Sequence, residues 1–350
     1  MTTAVTDAFL AQAEASDKLG SPFTAGLCRL LADKLDLTTR FGHKILEWDG
    51  DPARDALPLR ACGALHALAR SWKEPDLKAA YPPAKFDAAK LWHRIADVLT
   101  RHDIYLSSFL DSPPQTNEVA RSAIILGAAL LTIARTRLPL ALYEIGASAG
   151  LNLGFDAYRY NLGNGRAWGR TSAPFVISCD WQGELPPLSA HVNVLSRQGC
   201  DQRPLDPASE ADTERLLAFI WPDQTQRLAR TQAALELAAE RGLKVEEADA
   251  GDWVTEQFRY PAAPGVCRFL YHTIVWQYLP AASRKRIEDA LAAAVAKATS
   301  DTPIAHFSFE ADSKGEGGAL HLTVWPGGER HPVGRADFHG RWVEWFDVEI

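Results

Sequence analysis

The chain has 350 residues, of which 47% are hydrophobic and 23% are charged, and its formal net charge is −7 at pH 7. At roughly 100–200 residues per domain, this length predicts two domains or one enlarged domain with a sizeable core. The acidic balance argues against sequence-independent binding to nucleic acid and against binding to an anionic membrane surface.

The cysteines are odd in number and widely scattered, without a C-x-x-C spacing. They are Cys28, Cys62, Cys179, Cys200 and Cys267. This pattern predicts reduced thiols in a cytosolic protein, with neither a disulfide framework nor a zinc site. The first residues lack the apolar stretch of a secretory signal, and the most apolar segment, residues 122–134, is too short to span a bilayer. We therefore expect a cytoplasmic protein with no membrane partner.

Residues 1–137 contain no convincing strand and are predicted to form an α-helical domain or cap. The helices are expected at residues 6–19, 23–37, 57–72 and 85–100. The run Ser112-Pro113-Pro114-Gln115 predicts the capped start of a further helix that becomes strongly apolar from Ile124 onward. Its polar first turn has two interpretations: plain capping, or a polar end that points into a cleft.

From residue 138 onward the pattern changes to strands that alternate with helices. The β-rich runs are 140–145, 175–179, 192–195, 266–271 and 304–309, with a weaker run at 243–246. Helical stretches are expected at 151–158, 208–220, 224–241 and 283–298. This alternation predicts a parallel or mostly parallel sheet with helices on both faces. The short runs 320–325, 335–338 and 342–348, split by glycine and proline, predict an antiparallel hairpin or meander at its edge.

The run Gly146-Ala147-Ser148-Ala149-Gly150 joins the first predicted strand to a predicted helix start. As G-x-S-x-G it matches the nucleophile elbow of α/β-hydrolases, with Ser148 as the nucleophile. Chain order would then allow Asp249 with His272, or Glu310 with His321 or His331, as the acid and the base. The helical character of the upstream region disfavours this interpretation, because the oxyanion loop of such an enzyme follows an earlier strand.

The longer string Glu144-x-Gly146-x-Ser148-x-Gly150 resembles the first motif of class I S-adenosylmethionine-dependent methyltransferases, with Ser148 in place of the usual central glycine. The resemblance implies that Glu144 orients the ammonium group of the cofactor. It also implies that the small loop residues lie beside its methionine and ribose parts. The loop residues concerned are Gly146, Ala147, Ser148, Gly150 and Asn152.

The same resemblance assigns roles to acids and a histidine at the ends of later strands. The ribose-binding acid is expected to be Asp201 or Asp180, with Asp201 favoured because a helix follows it. Asp249 is expected near the adenine. His272 and Glu310, after the fourth and fifth strands, are the candidates for removing a proton from a methyl acceptor.

The chain also resembles a bacterial family known only as domain of unknown function 2332. The strings that carry this resemblance are Gln115-Thr116-Asn117-Glu118 with Arg121, Glu144 through Leu153, Tyr158-Arg159-Tyr160, Trp221-Pro222-Asp223, and His272 with Tyr278. The family implies no established reaction. It does imply that Gln115, Asn117, Glu118 and Arg121 belong to the site, and Tyr160 is a further candidate for contact with substrate.

These patterns together predict a Rossmann-like, class I methyltransferase-type α/β domain at 138–350, preceded by an α-helical domain at 1–137. The expected activity is methyl transfer from S-adenosylmethionine to a small-molecule acceptor, without a metal site. Two alternatives stay open: a serine hydrolase that uses Ser148, and a non-catalytic protein that binds S-adenosylmethionine or another nucleotide. The sequence does not identify the acceptor or the oligomeric state.

Overall fold

The computed structural model describes residues 3–348, which form two compact units. The first comprises residues 3–116 and Glu210–Gln232, and the second comprises Asn117–Ser209 and residues 233–348. These units differ from the division predicted at residue 137 in two ways. Residues 117–137 belong to the second unit, and the segment Glu210–Gln232 packs with the N-terminal helices.

The first unit is helical, and most of its helices were predicted from their apolar periodicity. They are α1 (Thr3–Lys18), α2 (Pro22–Lys34), α3 (Arg40–Leu46), α4 (Leu57–Arg70), α5 (Pro75–Lys78), α6 (Ala88–Arg101), α7 (Asp103–Phe109) and α9 (Glu210–Ala218). Helix α4 lies in the core, since most of its residues are buried. Helix α10 (Thr225–Glu240) begins in this unit and ends in the second.

Specific contacts explain why Glu210–Gln232 belongs to the first unit. The carboxylate of Asp223 accepts hydrogen bonds from the backbone N–H of Phe23, at 2.9 Å, and from the hydroxyl of Ser21. The guanidinium of Arg70 donates two hydrogen bonds of 3.0 Å to Glu214. Gly63 lies so close to the ring of Phe219 that a Cβ at that position would lie 2.7 Å from it. Such contacts between residues distant in sequence cannot be deduced from local patterns.

The second unit is built on a nine-stranded sheet. Its strands are β1 (Leu140–Ile145), β5 (Asp180–Gly183), β6 (Val194–Asp201), β7 (Glu246–Glu247), β8 (Cys267–Thr273), β9 (Ile304–Ala311), β10 (Gly318–Trp325), β11 (Arg330–Ala336) and β12 (Trp342–Trp345). The spatial order is β5-β12-β11-β10-β9-β8-β1-β6-β7. Strands β7, β6, β1, β8 and β9 are mutually parallel, and β10, β11 and β12 continue the sheet antiparallel. The predicted mixed α/β class, with a large and mostly parallel sheet, is confirmed.

A small second sheet corrects one strand prediction. It comprises β2 (Arg159–Asn161), β3 (Ala167–Trp168) and β4 (Val176–Ser178). The run predicted at 175–179 therefore lies in this inserted sheet and not in the main one. The second strand of the main sheet is β6, which extends well beyond the predicted 192–195. The sequence did not predict this extension, because Ser196, Arg197 and Gln198 are polar and lack the apolar pattern of a fully buried strand.

The helices of this unit also depart from the sequence prediction. They are α8 (Ser122–Thr136), α11 (Ala250–Gln257) and α12 (Ala281–Val295), with short 3₁₀ helices at Val119–Arg121, Leu151–Ala157 and Trp276–Tyr278. The helix predicted to start at Pro113 does not begin there, since the backbone is irregular as far as Glu118. Glu118 supplies the cap instead, because its carboxylate accepts a hydrogen bond from Ala120 N–H at 3.1 Å. The stretch after Gly150 is a 3₁₀ helix of seven residues, not an α-helix.

Helix α8 is strongly apolar, and its contacts place it in the core. By length and composition, Val119–Thr136 is apolar enough to cross a membrane, but 67% of that window is buried inside the protein. The helix contacts β8 and β9. Helices α11 and α12 pack against the sheet through a cluster that includes Ile145, Leu270 and Ile304.

Candidate functional site

The predicted catalytic and cofactor residues lie at the carboxyl ends of the parallel strands of the main sheet. Strands β6, β1, β8 and β9 are parallel, and the register places Ile145 beside both Cys200 and His272. The carboxyl ends of these strands therefore bring Glu144, Asp201, His272 and Glu310 to the same end of the sheet. Because Glu144 pairs with Tyr271 and Ile145 pairs with His272, the side chains of Glu144 and His272 point to opposite faces there. Open α/β sheets bind ligands at the carboxyl ends of their parallel strands.

Glu144 is the most unusual residue there, because it is a carboxylic acid with only 2% of its surface exposed. Its Oε2 accepts a hydrogen bond from the hydroxyl of Tyr271 at 3.3 Å. Burial raises the pKa of Glu144 to about 8, and hydrogen bonds from Tyr271 and Asn152 offset only part of this effect. The charge of Asp201 raises the pKa further, whereas Arg121 lowers it. The protein therefore leaves the cost of a negative charge at Glu144 only partly compensated.

The loop after β1 is held to β6 by backbone hydrogen bonds. Gly146 N–H and Ala147 N–H both donate to the carbonyl of Cys200, at 2.9 and 3.0 Å. Gly146 has a φ of +70°, and a Cβ there would lie 2.5 Å from Cγ2 of Val275. Gly150 has a φ of +72°, and a Cβ there would lie 3.1 Å from Val245. The glycines thus serve the turn and its close packing against neighbouring segments, whether or not a ligand binds.

Two buried polar atoms on this loop have no hydrogen-bond partner among residues 3–348. They are the hydroxyl oxygen of Ser148 and Oδ1 of Asn152. Ser148 also has a φ of +54°, which is uncommon for a residue with a side chain. Buried polar groups normally have a partner, so these two atoms indicate that a water or a ligand completes the loop.

The structure separates the two candidates for the ribose-binding acid. Asp201 ends β6, next to β1, and its carboxylate accepts hydrogen bonds from Ser148 N–H and Arg203 N–H, both at 2.9 Å. Asp180 lies on β5, at the opposite edge of the sheet. Only Asp201 therefore lies beside the loop.

Asp249 caps helix α11 and is engaged within the protein. Its carboxylate accepts hydrogen bonds from Gly251 N–H, the Ser283 hydroxyl and the Arg286 guanidinium, at 2.8, 2.5 and 2.8 Å. Burial alone would raise the pKa of Asp249, but these hydrogen bonds outweigh it and lower the pKa to about 2. The contacts account for this acid as a structural cap.

His272 and Glu310 form a pair at the ends of β8 and β9. Nδ1 of His272 lies 2.6 Å from Oε1 of Glu310, and the same oxygen accepts a hydrogen bond from Val275 N–H at 3.1 Å. An ionised Glu310 carboxylate can only accept hydrogen bonds, so in this pair His272 Nδ1 carries the proton and donates the hydrogen bond. The ring of His272 stacks on Trp276 with 5.0 Å between ring centroids.

The segment that directly follows His272 contains a strained residue that the sequence did not reveal. Ile274 has a φ of +53°, an outlier for a β-branched side chain. Its N–H donates to the carbonyl of Phe309 at 2.8 Å, so β9 and Glu310 together hold the segment in place. Tyr271 was also missed. Alignment of the two strand ends would have found it, because Tyr271 pairs with Glu144 in the register.

The residues predicted to contact substrate occupy different environments. Asn117 Oδ1 accepts a hydrogen bond from Leu151 N–H at 2.9 Å, so this side chain occupies the start of the 3₁₀ helix. The guanidinium of Arg121 donates to the carbonyls of Phe338 and Thr273. Tyr160 is fully buried, and its hydroxyl donates to Phe155 O at 2.6 Å. Gln115 lies in the first unit, whereas Glu118 is the cap described above.

The environment of Ser148 predicts that it is not a reactive nucleophile. Its hydroxyl is buried, and within residues 3–348 no histidine hydrogen-bonds to it. We expect that a serine-reactive fluorophosphonate will not label the protein, as judged by intact-mass spectrometry. Labelling of the native chain that disappears in Ser148→Ala would contradict this and favour the hydrolase.

Within the described part of the chain, no group of three or more His, Cys, Asp or Glu side chains has the arrangement of a metal site. A family model described as "Uncharacterized protein conserved in bacteria (DUF2332)" matches residues 6–345. No curated protein and no solved structure matches the chain.

Proposed function

The chain belongs to the DUF2332 family of uncharacterized bacterial proteins, and we propose that it binds S-adenosylmethionine and catalyses methyl transfer to a small-molecule acceptor. The buried acid at the end of β1 carries this proposal. Glu144 is a carboxyl group whose negative charge the protein compensates only in part, and a ligand ammonium group would supply the missing counter-charge.

The topology of the sheet supports a Rossmann-like fold of the methyltransferase type. Numbered by their order in the chain, the five parallel strands have the spatial order 3-2-1-4-5. This is the order of doubly wound nucleotide-binding folds, in which ligands bind at the carboxyl ends of the strands. The antiparallel extension β10–β12 fits the antiparallel edge that the sequence predicted.

The residues at the carboxyl ends of the parallel strands fit the cofactor. Glu144 would hold the ammonium group, directly or through water, and Asp201 has lone pairs left for a ribose hydroxyl. Ser148 and Asn152 each have an unpartnered buried oxygen that can accept a hydrogen bond from the same ligand. Asp249 is not assigned to the cofactor, because its hydrogen bonds within the protein explain its position. When bound, the cofactor supplies an electrophilic methyl group on a sulfonium.

His272 is the residue that we assign to proton removal. Since Nδ1 donates to Glu310, Nε2 keeps a lone pair and can accept a proton from the acceptor. Glu310 fixes the tautomer of the ring and the position of the Val275 backbone, so it acts as a positioning residue.

Calorimetric titration with S-adenosylmethionine and S-adenosylhomocysteine tests the proposal. We expect both to bind, and a ligand at 100 times its dissociation constant to stabilise the fold by about 2.7 kcal/mol. Asp201→Asn should weaken binding, while the matched control Asp180→Asn, at the other sheet edge, should not. The proposal fails if neither ligand binds nor shifts the melting temperature. The residue assignment fails if the two variants bind equally well.

A further inference from the structure

A groove lies on one face of the main sheet, between helix α12 and the antiparallel strands. Its volume is about 730 Å³, within the usual range for small-molecule sites. The lining residues come from β8 to β11, from α12 and from the 3₁₀ helix at Trp276. They include His272 but neither Glu144 nor the loop 146–150.

The groove exists because no helix covers this part of the sheet. Strand β9 passes into β10 through residues 312–317, so the connection that would bring a covering helix is missing. The register places Ser308 beside His321 and His306 beside Thr323, on the face that lines the groove. On the opposite face the side chains are apolar and fully buried. They are Phe307, Phe309, Leu320 and Leu322.

The walls of the groove are apolar and partly aromatic. Leu291 and Val295 contribute aliphatic surface from α12, and Trp276 and Trp325 contribute ring surface. Aromatic and aliphatic walls above a polar floor suit a flat ring that carries a few hydrogen-bonding groups.

Hydrogen-bonding and charged side chains form part of the groove lining. The Nε2 of His272 is the nitrogen of that ring left for a hydrogen bond, since Nδ1 donates to Glu310. Arg330 and Lys314 also line the groove. Asp312 does not oppose an anion strongly, because its carboxylate is paired with the guanidinium of Arg335 at 2.8 Å. Glu288 on α12 is the remaining acid of the lining besides Glu310.

We propose that this groove binds an aromatic acid that carries a hydroxyl group. The ring would pack against Trp276 and α12, the hydroxyl would donate to His272, and the carboxylate would bind at Arg330. That this molecule is the methyl acceptor rests on the proposed function, whereas its binding in the groove does not.

The test uses 4-hydroxybenzoate as the probe and ligand-observed NMR and calorimetry as readouts, without S-adenosylmethionine. Two neighbouring exposed alanines of α12 give a matched pair of variants. Ala292 lines the groove and Ala293 does not. Ala292→Trp should therefore fill the groove and weaken probe binding at least tenfold, while Ala293→Trp should bind like the native protein.

A second comparison tests the polar contacts. Arg330→Gln should weaken binding of 4-hydroxybenzoate and benzoate several-fold but leave phenol unchanged, because phenol has no carboxylate. Equal affinities of Ala292→Trp and Ala293→Trp, or no binding to the native protein at millimolar probe, would overturn the proposal. An equal effect of Arg330→Gln on all three probes would overturn the assignment of the carboxylate. None of these outcomes depends on whether the cofactor binds.

Discussion

The native protein is expected to lose stability as the pH rises, and replacement of Glu144 by glutamine is expected to remove that loss. The folded-state pKa of Glu144, about 8, lies above the unfolded value of 4.5. The folded protein therefore binds this proton more tightly. The contribution to stability is fully present below pH 4.5 and is lost as the pH rises through about 8. Since one pKa unit corresponds to about 1.4 kcal/mol, the loss amounts to a few kcal/mol.

Urea unfolding between pH 5 and about pH 9 measures this effect as a difference between two proteins. Glutamine keeps the shape of the side chain and can accept the hydrogen bond from Tyr271, but it cannot ionise. The free energy of unfolding of Glu144→Gln should therefore exceed that of the native protein increasingly toward high pH. Glu256→Gln, on the exposed surface of α11, is the control and should follow the native curve. Parallel curves for native and Glu144→Gln would show that Glu144 has an ordinary pKa.

The same substitution tests the ammonium contact. If the cofactor ammonium binds the carboxylate, binding at pH 7 must release a proton from Glu144. Calorimetric titrations with S-adenosylhomocysteine in two buffers of different ionisation enthalpy detect that proton. Glu144→Gln should remove the proton release and weaken binding by about 2 kcal/mol or more, which is roughly 30-fold. Proton release that persists in the variant would place the titrating group elsewhere.

Gly146→Ala is expected to destabilise the second unit strongly, for two additive reasons. An alanine at φ +70° bears the left-handed penalty of about 1–2 kcal/mol. Its Cβ would also lie 2.5 Å from Cγ2 of Val275, so the segment after β8 must move or the fold must strain. Overpacking of this kind costs about 1–3 kcal/mol. The total expected loss is about 2–5 kcal/mol in the free energy of unfolding.

A matched glycine separates the two terms. Gly163 has a φ of +76°, and a Cβ there would meet nothing within 4 Å. Gly163→Ala should therefore show the backbone penalty alone. Adding Val275→Ala to Gly146→Ala should recover part of the loss that the clash causes. Equal losses for Gly146→Ala and Gly163→Ala in chemical denaturation would show that Val275 does not restrict the loop.

The strongly periodic parts of the sequence predicted the fold class well. Parallel strands buried on both faces are continuous apolar runs, which is why β1, β8 and β9 were located within a few residues. Strand β6 was located poorly because several of its side chains are polar and exposed or half-buried, so the strand lacks a continuous apolar run. The helix predicted from Ser112 was wrong because a capping signature marks a helix start only when the following residues can adopt a helical backbone. Here the side chain of Asn117 instead accepts a hydrogen bond from Leu151 N–H.

The site was predicted in part. The sequence singled out Glu144, the glycine loop, Asp201, His272 and Glu310, and the parallel strands bring them to one edge of the sheet. It favoured Asp201 over Asp180 but could not decide between them, because both follow short β-rich runs. It also could not show that Asp249 is bonded to Ser283 and Arg286, which follow it by more than thirty positions.

By itself the sequence determined the α/β class, the most apolar of its strands and most of its long helices, its membership of the family, and the acid-and-glycine loop after the first strand. Tertiary structure alone decided that Glu210–Gln232 packs with the N-terminal helices, that Tyr271 contacts Glu144, and that Val275 packs against Gly146. The physical reason is that local periodicity reports only whether a segment is buried. The identity of its neighbours depends on strand order and register, which contacts between residues far apart in the chain determine.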